Sequence, residues 1–221
     1  MADFDPGTGL GPRLRLVRGS RQLSVRELAR RVGCSASLIS QIERGVSVPS
    51  VGVLYALATE LGSSLDYLLF GSGAGPAGAP EPREAPDSGI PWAAEASAVP
   101  GAGPPSAIVQ RGCDRRIIDL ASGVRWERLT PRSEAMTDFL EVVYSPGGHS
   151  TDERRPLRHD GREYGLIISG TLQANVGFES YELGPGDSIA FDSSTPHEYL
   201  NKTGDYVHAI WVVVHSEPDR A

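Results

Sequence analysis

The densest interaction chemistry in this 221-residue sequence lies between Leu10 and Arg44. Eight arginines stand there against two acids, Glu27 and Glu43, a local net charge of +6. Among them run short hydroxyl and amide side chains: Ser24, Ser35, Ser37, Ser40 and Gln41. Guanidinium groups hold phosphate oxygens and short polar groups can meet base edges, so this set suits a nucleic-acid partner. The whole chain argues otherwise at first sight, with 21 basic and 28 acidic residues, a net charge of −7 and a pI near 5.3. The average conceals two unlike halves: residues 1–70 sum to +2 and the other 151 to −9. A phosphate backbone senses the local excess within a Debye length of about 8–10 Å. The acidic total therefore does not exclude DNA. No nucleophile motif, phosphate-binding loop or zinc-finger spacing is present.

The elements that must position these groups change character along the chain. Residues 71–106 carry eight of the seventeen prolines, with seven glycines and nine alanines. Such a stretch has little to bury and predicts a flexible or partly polyproline linker between domains at 10–70 and 107–215. Before it the pattern is helical. Leu10, Leu14 and Val17 share one face of a first helix, with Arg13, Arg15 and Arg18 largely off it. Ser24-Val25-Arg26-Glu27 reads as a capping box, in which the serine accepts from an amide and the glutamate reaches back. It opens a second helix with Leu28 and Val32 as core, ended by Gly33. Ser35 caps a third helix whose Leu38 and Ile42 face inward, and Gly45 closes it. Pro49-Ser50 opens a fourth, Val51 to Leu61, and residues 64–69 make a short fifth.

After the linker the period switches to two. Residues 115–120, 124–129, 138–144, 164–176, 188–191 and 206–214 are β-rich runs punctuated by glycine turns, which predicts an antiparallel sandwich or barrel. No stretch approaches the ~18 apolar residues of a membrane span. The acidic start, Met1 to Asp5, has no apolar core of a secretory signal. Cys34 and Cys113 lie in separate segments, which suits a reducing cytoplasm and excludes a disulfide framework. Cys34 reads as a packing residue of the turn.

Two short helices joined through Gly33, the second capped and amphipathic, make a helix-turn-helix. The stretch from Leu23 to Gly45, with its Leu28-Ala29 pair, turn at Gly33 and Ile42-Glu43-Arg44-Gly45 ending, resembles the lambda-repressor-like (Xre) family. The likeness continues through Pro49-Ser50 to Leu69. It implies a five-helix DNA-binding domain whose third helix enters the major groove. On that basis Ser37 and Gln41 are the candidate base readers, and Ser35 and Ser40 share their face. Ser24 and Ser35 combine capping with phosphate contact, and Arg26 and Arg44 are candidate phosphate clamps.

The second half resembles the cupin family. In Arg158 to Gly170, the positions His159, Glu163 and Gly170 match the first cupin motif, while Leu157 stands where the family has its first histidine. In Gly186 to Asn201, the positions Gly186, His197 and Asn201 match the second motif, while Asp192 and Ser194 replace its internal proline and glycine. The likeness implies an antiparallel jelly-roll barrel, a double-stranded β-helix, holding His159, Glu163 and His197 as a 2-His-1-carboxylate set. Such a set suits one divalent ion, Fe, Zn, Mn or Ni. The alternative is a polar pocket for an organic ligand, with Trp126, Tyr164, Tyr199 and Asn201 as lining. His149, in the turn after Gly148, is a substitute ligand or a plain loop histidine.

Together these readings predict a multidomain α plus β protein: a sequence-specific transcriptional regulator, cytoplasmic and nucleoid-associated, not an enzyme. Its expected partners are a double-stranded DNA operator, a small-molecule effector or metal ion, and a second copy in a homodimer. With so long a linker, the effector is expected to act through barrel–barrel dimer geometry. The alternative is a nonheme-iron cupin enzyme resembling hydroxypropylphosphonate epoxidase, with the helical domain as scaffold.

Overall fold

Serine caps and glycine stops divide the first seventy residues into helices. A computed structural model of the chain describes residues 9–63, 65–71, 106–132, 134, 136–151 and 156–215, without the side chain of Asp66. In it, α1 spans Leu10–Ser20, α2 Val25–Val32, α3 Ala36–Glu43, α4 Val51–Leu61 and α5 Leu65–Phe70. Ser24 Oγ accepts from Glu27 N at 3.1 Å, Ser35 Oγ from Leu38 N at 3.1 Å and Ser50 Oγ from Val53 N at 3.4 Å. Each satisfies an amide that a helix start leaves open. Gly33 (φ 77°) and Gly62 (φ 54°) end α2 and α4 in the left-handed conformation that favours glycine. The capping box is half formed. The Glu27 carboxylate accepts from Arg30 and Arg31 at 2.8 Å each, so it is drawn along the helix and away from Ser24.

The helical core consists of Leu14, Leu28, Ile39, Ile42, Leu57 and Leu61, all sealed from solvent. In α3 the inward pair is Ile39 and Ile42, three apart, and Leu38 is only half-buried, one position off the expected face. Three arginines make tertiary contacts, and two of them, Arg13 and Arg18, turn inward although the pattern places them off the apolar face. Arg13 Nε donates to Leu68 O at 2.8 Å and its Nη2 to Leu69 O; Arg21 Nε donates to Leu61 O at 3.0 Å. Both guanidiniums reach carbonyls at the C-terminal ends of α5 and α4, which lack partners in their own helices and carry the negative end of the dipole. Arg18 grips Glu43 at 2.5 and 3.0 Å and donates to Leu23 O at 2.7 Å, tying α1 to α3. These cations hold helices together.

The second half is a barrel of two sheets. Its strands are β1 Ile117–Leu120, β2 Val124–Arg128, β3 Thr137–Tyr144, β4 Arg162–Ser169, β5 Leu172–Val176, β6 Glu179–Leu183, β7 Ser188–Asp192, β8 His197–Leu200 and β9 Val207–Val214. One sheet has the order β1-β2-β3-β9-β4-β7 and the other β6-β5-β8, with every pairing antiparallel. The run expected as one strand over 164–176 is two, broken at Gly170. Its φ is 80°, and a Cβ there would lie 2.6 Å from Tyr206 O. Two strands went unanticipated: β6 is exposed along most of its polar length, and β8 is four residues long with alternating burial. Between Gly71 and Ser106, the segment expected to be a linker lies outside the described residues.

The two cores are continuous. Val51, Leu54 and Tyr55 of α4, with Leu65 to Phe70 around α5, belong to the same buried cluster as Trp126, Leu140 and Trp211 of the barrel. Gly52 N donates to Ser150 O at 3.1 Å, Ala121 N to Pro49 O at 3.3 Å and Arg116 Nη1 to Phe70 O at 2.8 Å. The Arg128 guanidinium lies 5.1 Å over the Phe70 ring. The helical domain therefore sits on the barrel, a contact that the sequence reading, which placed a flexible linker between the two, did not address. Among the described residues no helix is long and apolar enough to cross a membrane.

Candidate functional site

The interior polar site begins with the two-residue period of β4. Glu163 points into the barrel, between outward-facing Arg162 and Tyr164, and is 2% exposed. Two residues on, Gly165 leaves room for an aromatic plate: a Cβ there would lie 2.5 Å from the Trp211 ring. Trp211 Nε1 donates to Glu163 Oε2 at 2.6 Å and Tyr199 Oη to the same oxygen at 2.7 Å. On the other side His159 Nε2 lies 2.6 Å and His197 Nε2 3.0 Å from Oε1. Burial pushes the carboxyl pKa up, but the His159 hydrogen bond and the nearness of both imidazoles outweigh it and hold Glu163 ionised.

The site has the donor set of a cation site. His197 Nδ1 lies 2.8 Å from Thr195 O, a carbonyl that only an N–H can satisfy, and this assigns the proton to Nδ1. His197 Nε2 faces Glu163 Oε1 at 3.0 Å, in a position that either a second ring proton or a bound cation satisfies. The ligand atoms of His159, Glu163 and His197 lie within 4.8 Å of one another, and all three side chains are buried. Orientation of His197 by a backbone carbonyl is the outer-shell support that metal-ligating histidines commonly have. His149 stands apart, with Nδ1 on the Thr151 carbonyl. Leu157, where the cupin pattern places its first histidine, is buried and pairs with the His197 backbone.

Trp126 and Tyr199 line the interior space, as expected. Tyr164 does not: it is 44% exposed on the outer face of β4, because alternation gives the inward place to Glu163. Asn201 is buried but does not line the space. Its amide donates to Tyr144 O, Ser145 O and Asp205 O at 2.7–3.1 Å, and its Oδ1 accepts from Thr203 N at 3.0 Å, pinning two loops. Asn201→Ala is expected to orphan several buried groups and cost about 2–4 kcal/mol. A thermal melt checks this; an unchanged midpoint contradicts the structural role. Tyr55 escaped sequence reasoning. This α4 residue stacks flat on the His159 ring, with centroids 4.3 Å apart and 10° between planes, and meets Trp126 edge-on at 6.0 Å. No motif or periodicity marks it.

The second candidate surface is the outer face of α3. Ser37 is exposed and Gln41 half-exposed, one turn apart, with Gln41 Nε2 3.5 Å from Ser37 Oγ. Ser40 is half-buried beside them, and Ser24 and Ser35 are exposed at their helix starts with Oγ already engaged as caps. Arg26, in the first turn of α2, and Arg44, at the C-cap of α3, are exposed and without an ion-pair partner among the described residues. Of the eight arginines, Arg30 and Arg31 are paired with Glu27, and Arg13, Arg18 and Arg21 are engaged in tertiary hydrogen bonds. That leaves Arg15, Arg26 and Arg44 as exposed cations with no side-chain hydrogen bond or ion pair among the described residues. Sequence arithmetic counted all eight toward one local charge excess.

Comparison with known proteins agrees with this division. Residues 14–68 match the helix-turn-helix family model and residues 140–213 the cupin domain model. The chain joins a helix-turn-helix domain to a cupin domain. The HTH-type transcriptional regulator PuuR of Escherichia coli (strain K12) is 26% identical over 199 residues, covering 89% of this chain and 90% of the relative. A crystal structure of an HTH_3 family transcriptional regulator from Vibrio cholerae superposes with a TM-score of 0.58 at 19% identity, covering 94% of this chain and 96% of that one. It establishes that both domains, in this order, occur in one fold. Hydroxypropylphosphonic acid epoxidase from S. wedmorenis aligns over 94% of this chain and 97% of its own at 18% identity. With a TM-score of 0.41, that likeness says nothing about activity.

Proposed function

We propose that this protein is a DNA-binding transcription regulator in which α3 reads the operator and the cupin barrel is the sensor. The observation that carries the reading is the α3 face: in a helix-turn-helix domain, the capped helix leaves Ser37 exposed and Gln41 partly exposed one turn apart, with Arg26 and Arg44 exposed at the start of α2 and the end of α3. A helix N-terminus in the major groove places such side chains at base edges, with the flanking guanidiniums on phosphates. A relative that spans nine-tenths of the chain carries the name of a transcriptional regulator. Sequencing of genomic fragments captured by the purified full-length protein tests the proposal. The expected result is a short palindrome bound with nanomolar affinity. Capture without sequence preference at moderate salt overturns it.

A metal ion fits the barrel. His159, Glu163 and His197 would hold it, as two imidazoles and one carboxylate whose ligand atoms converge within 4.8 Å. The enzyme reading has less support, because the helical domain keeps an outward polar reading face and the barrel interior is nearly filled.

Two-fold operators call for two-fold proteins. The outer face of the six-stranded sheet carries an apolar strip on adjacent strands: Phe139 of β3, Val214 of β9, and Tyr164, Leu166 and Ile168 of β4, each 36–53% exposed. This strip is the dimer face in our proposal, its occupant a second copy of the chain. Leu166→Glu is expected to give a monomer by sedimentation equilibrium with the melting temperature retained. A dimer unchanged by that substitution assigns the interface elsewhere.

A further inference from the structure

The site inside the barrel is closed by a helix of the other domain. Helix α4 lies across the opening with Gly52 N on Ser150 O, and its backbone rests on Leu157: a Cβ on Gly52 would meet Leu157 Cδ2 at 3.6 Å. One turn further, Tyr55 covers His159 face to face. The space remaining among Val51, Tyr55, Trp126, Tyr144, Glu163 and Trp211 is about 20 Å³. That volume admits a single water. Pockets for organic ligands are about 300–1,000 Å³, more than tenfold larger.

We propose that α4, with Tyr55 as its plug, is the lid of the cupin barrel, and that an organic ligand can occupy the interior only when the lid is lifted. A bare ion at His159, Glu163 and His197 is compatible with the closed lid; a larger ligand is not. Filling the barrel and docking the helical domain therefore exclude each other. Such a ligand has the differential affinity for two arrangements that any coupling requires.

The consequence for DNA rests on the regulator reading above. The 34 residues between Gly71 and Ser106 could reach about 110 Å if extended, so the chain connection by itself sets no domain spacing. The α4–barrel contact sets it. In a dimer, two docked reading heads are held at one separation, and a palindrome of matching half-site spacing is bound with the advantage of a high effective concentration. Lifting the lid releases the heads and forfeits that advantage. The barrel therefore releases the operator when filled, a direct route through the α4 contact that the linker's length had argued against.

The test uses the full chain with Trp92→Phe, so that fluorescence reports only the buried Trp126 and Trp211, each 4% exposed. Acrylamide is the organic probe. Tyr55→Ala is expected to raise the quenching constant severalfold and to weaken binding to the captured operator about tenfold or more, with wider tolerance of half-site spacing. A second variant, Gly52→Cys with Thr151→Cys and both native cysteines changed to serine, keeps the test open if Tyr55→Ala fails to fold. A Cβ on Gly52 lies 3.9 Å from Thr151 Cα, within disulfide reach. Oxidised, this variant is expected to bind the operator like the parent and to shield both tryptophans at acrylamide concentrations that quench its reduced form. Equal quenching of parent, locked and Tyr55→Ala proteins overturns the lid. Faster quenching with undiminished operator affinity overturns the coupling. If none of the proteins binds DNA specifically, the regulator reading fails by itself, and the quenching series still decides the lid.

Discussion

Glu163→Ala is expected to destabilise the protein by about 3–5 kcal/mol and to abolish binding of a divalent ion. The first figure follows from what the carboxylate holds. It accepts from Trp211 Nε1 at 2.6 Å and Tyr199 Oη at 2.7 Å, and it faces two buried imidazoles. With the carboxylate removed, two donors and two histidines face a dry cavity. Orphaning a buried polar group costs about 1–3 kcal/mol, and breaking a buried charged pair about 3–5 kcal/mol. The separate effect on metal follows from charge: two neutral imidazoles alone bind a divalent ion far more weakly than two imidazoles and a carboxylate. Glu163→Gln separates the two effects. Its amide oxygen still accepts from Trp211 and Tyr199, so it is expected to keep most of the stability and lose the ion. Denaturant titration gives the first quantity and cobalt absorption the second. A Glu163→Ala protein as stable as the parent would remove the carboxylate from its place as the keystone of the barrel.

Gln41→Ala is expected to weaken operator binding about 10- to 100-fold, the worth of one well-placed base contact of about 1–3 kcal/mol, and to leave non-specific binding unchanged. Arg26→Ala and Arg44→Ala should behave differently. They are expected to weaken specific and non-specific complexes alike and to lower the slope of log affinity against log salt by about one each. Arg26 and Arg44 are exposed and Gln41 is partly exposed, so melting temperatures should hold. Arg18→Ala supplies the contrast. Its guanidinium is 15% exposed and grips a nearly buried Glu43, so its loss should lower stability before it touches DNA contacts. Fluorescence anisotropy on operator and scrambled duplexes across a salt series distinguishes the patterns. A uniform loss in Gln41→Ala would demote that residue from reader to phosphate contact.

The helical boundaries were legible because they depend on short spans. A serine three residues before a free amide, or a glycine that tolerates positive φ, acts within one turn of the chain. The arginines show where that reading stops. Arg13, Arg15, Arg18 and Arg21 look alike by type and spacing. Which of them faces solvent depends on whether a helix C-terminus from elsewhere in the fold lies within reach of a guanidinium. The strands tell the same story. Broad β-rich runs were visible, but the break at Gly170 and the polar edge strand β6 are set by partners across the sheet. Tyr164 illustrates the cost of a single step: one residue from Glu163, it lies on the opposite face of the barrel wall.

The sequence by itself determined the two domain types, the capped third helix, and the residue types that meet in the barrel, His159, Glu163 and His197. Each of these is written in local spacing or in motif register. Only the tertiary structure decided that the domains share a core, that Leu157 became a seat for a helix where the cupin pattern has a ligand, and that Tyr55 closes the site from the other domain. The physical reason is that docking depends on the fit of two finished surfaces. A buried contact such as Tyr55 on His159 has no period and no fixed separation along the chain, so its energy belongs to the assembled shape.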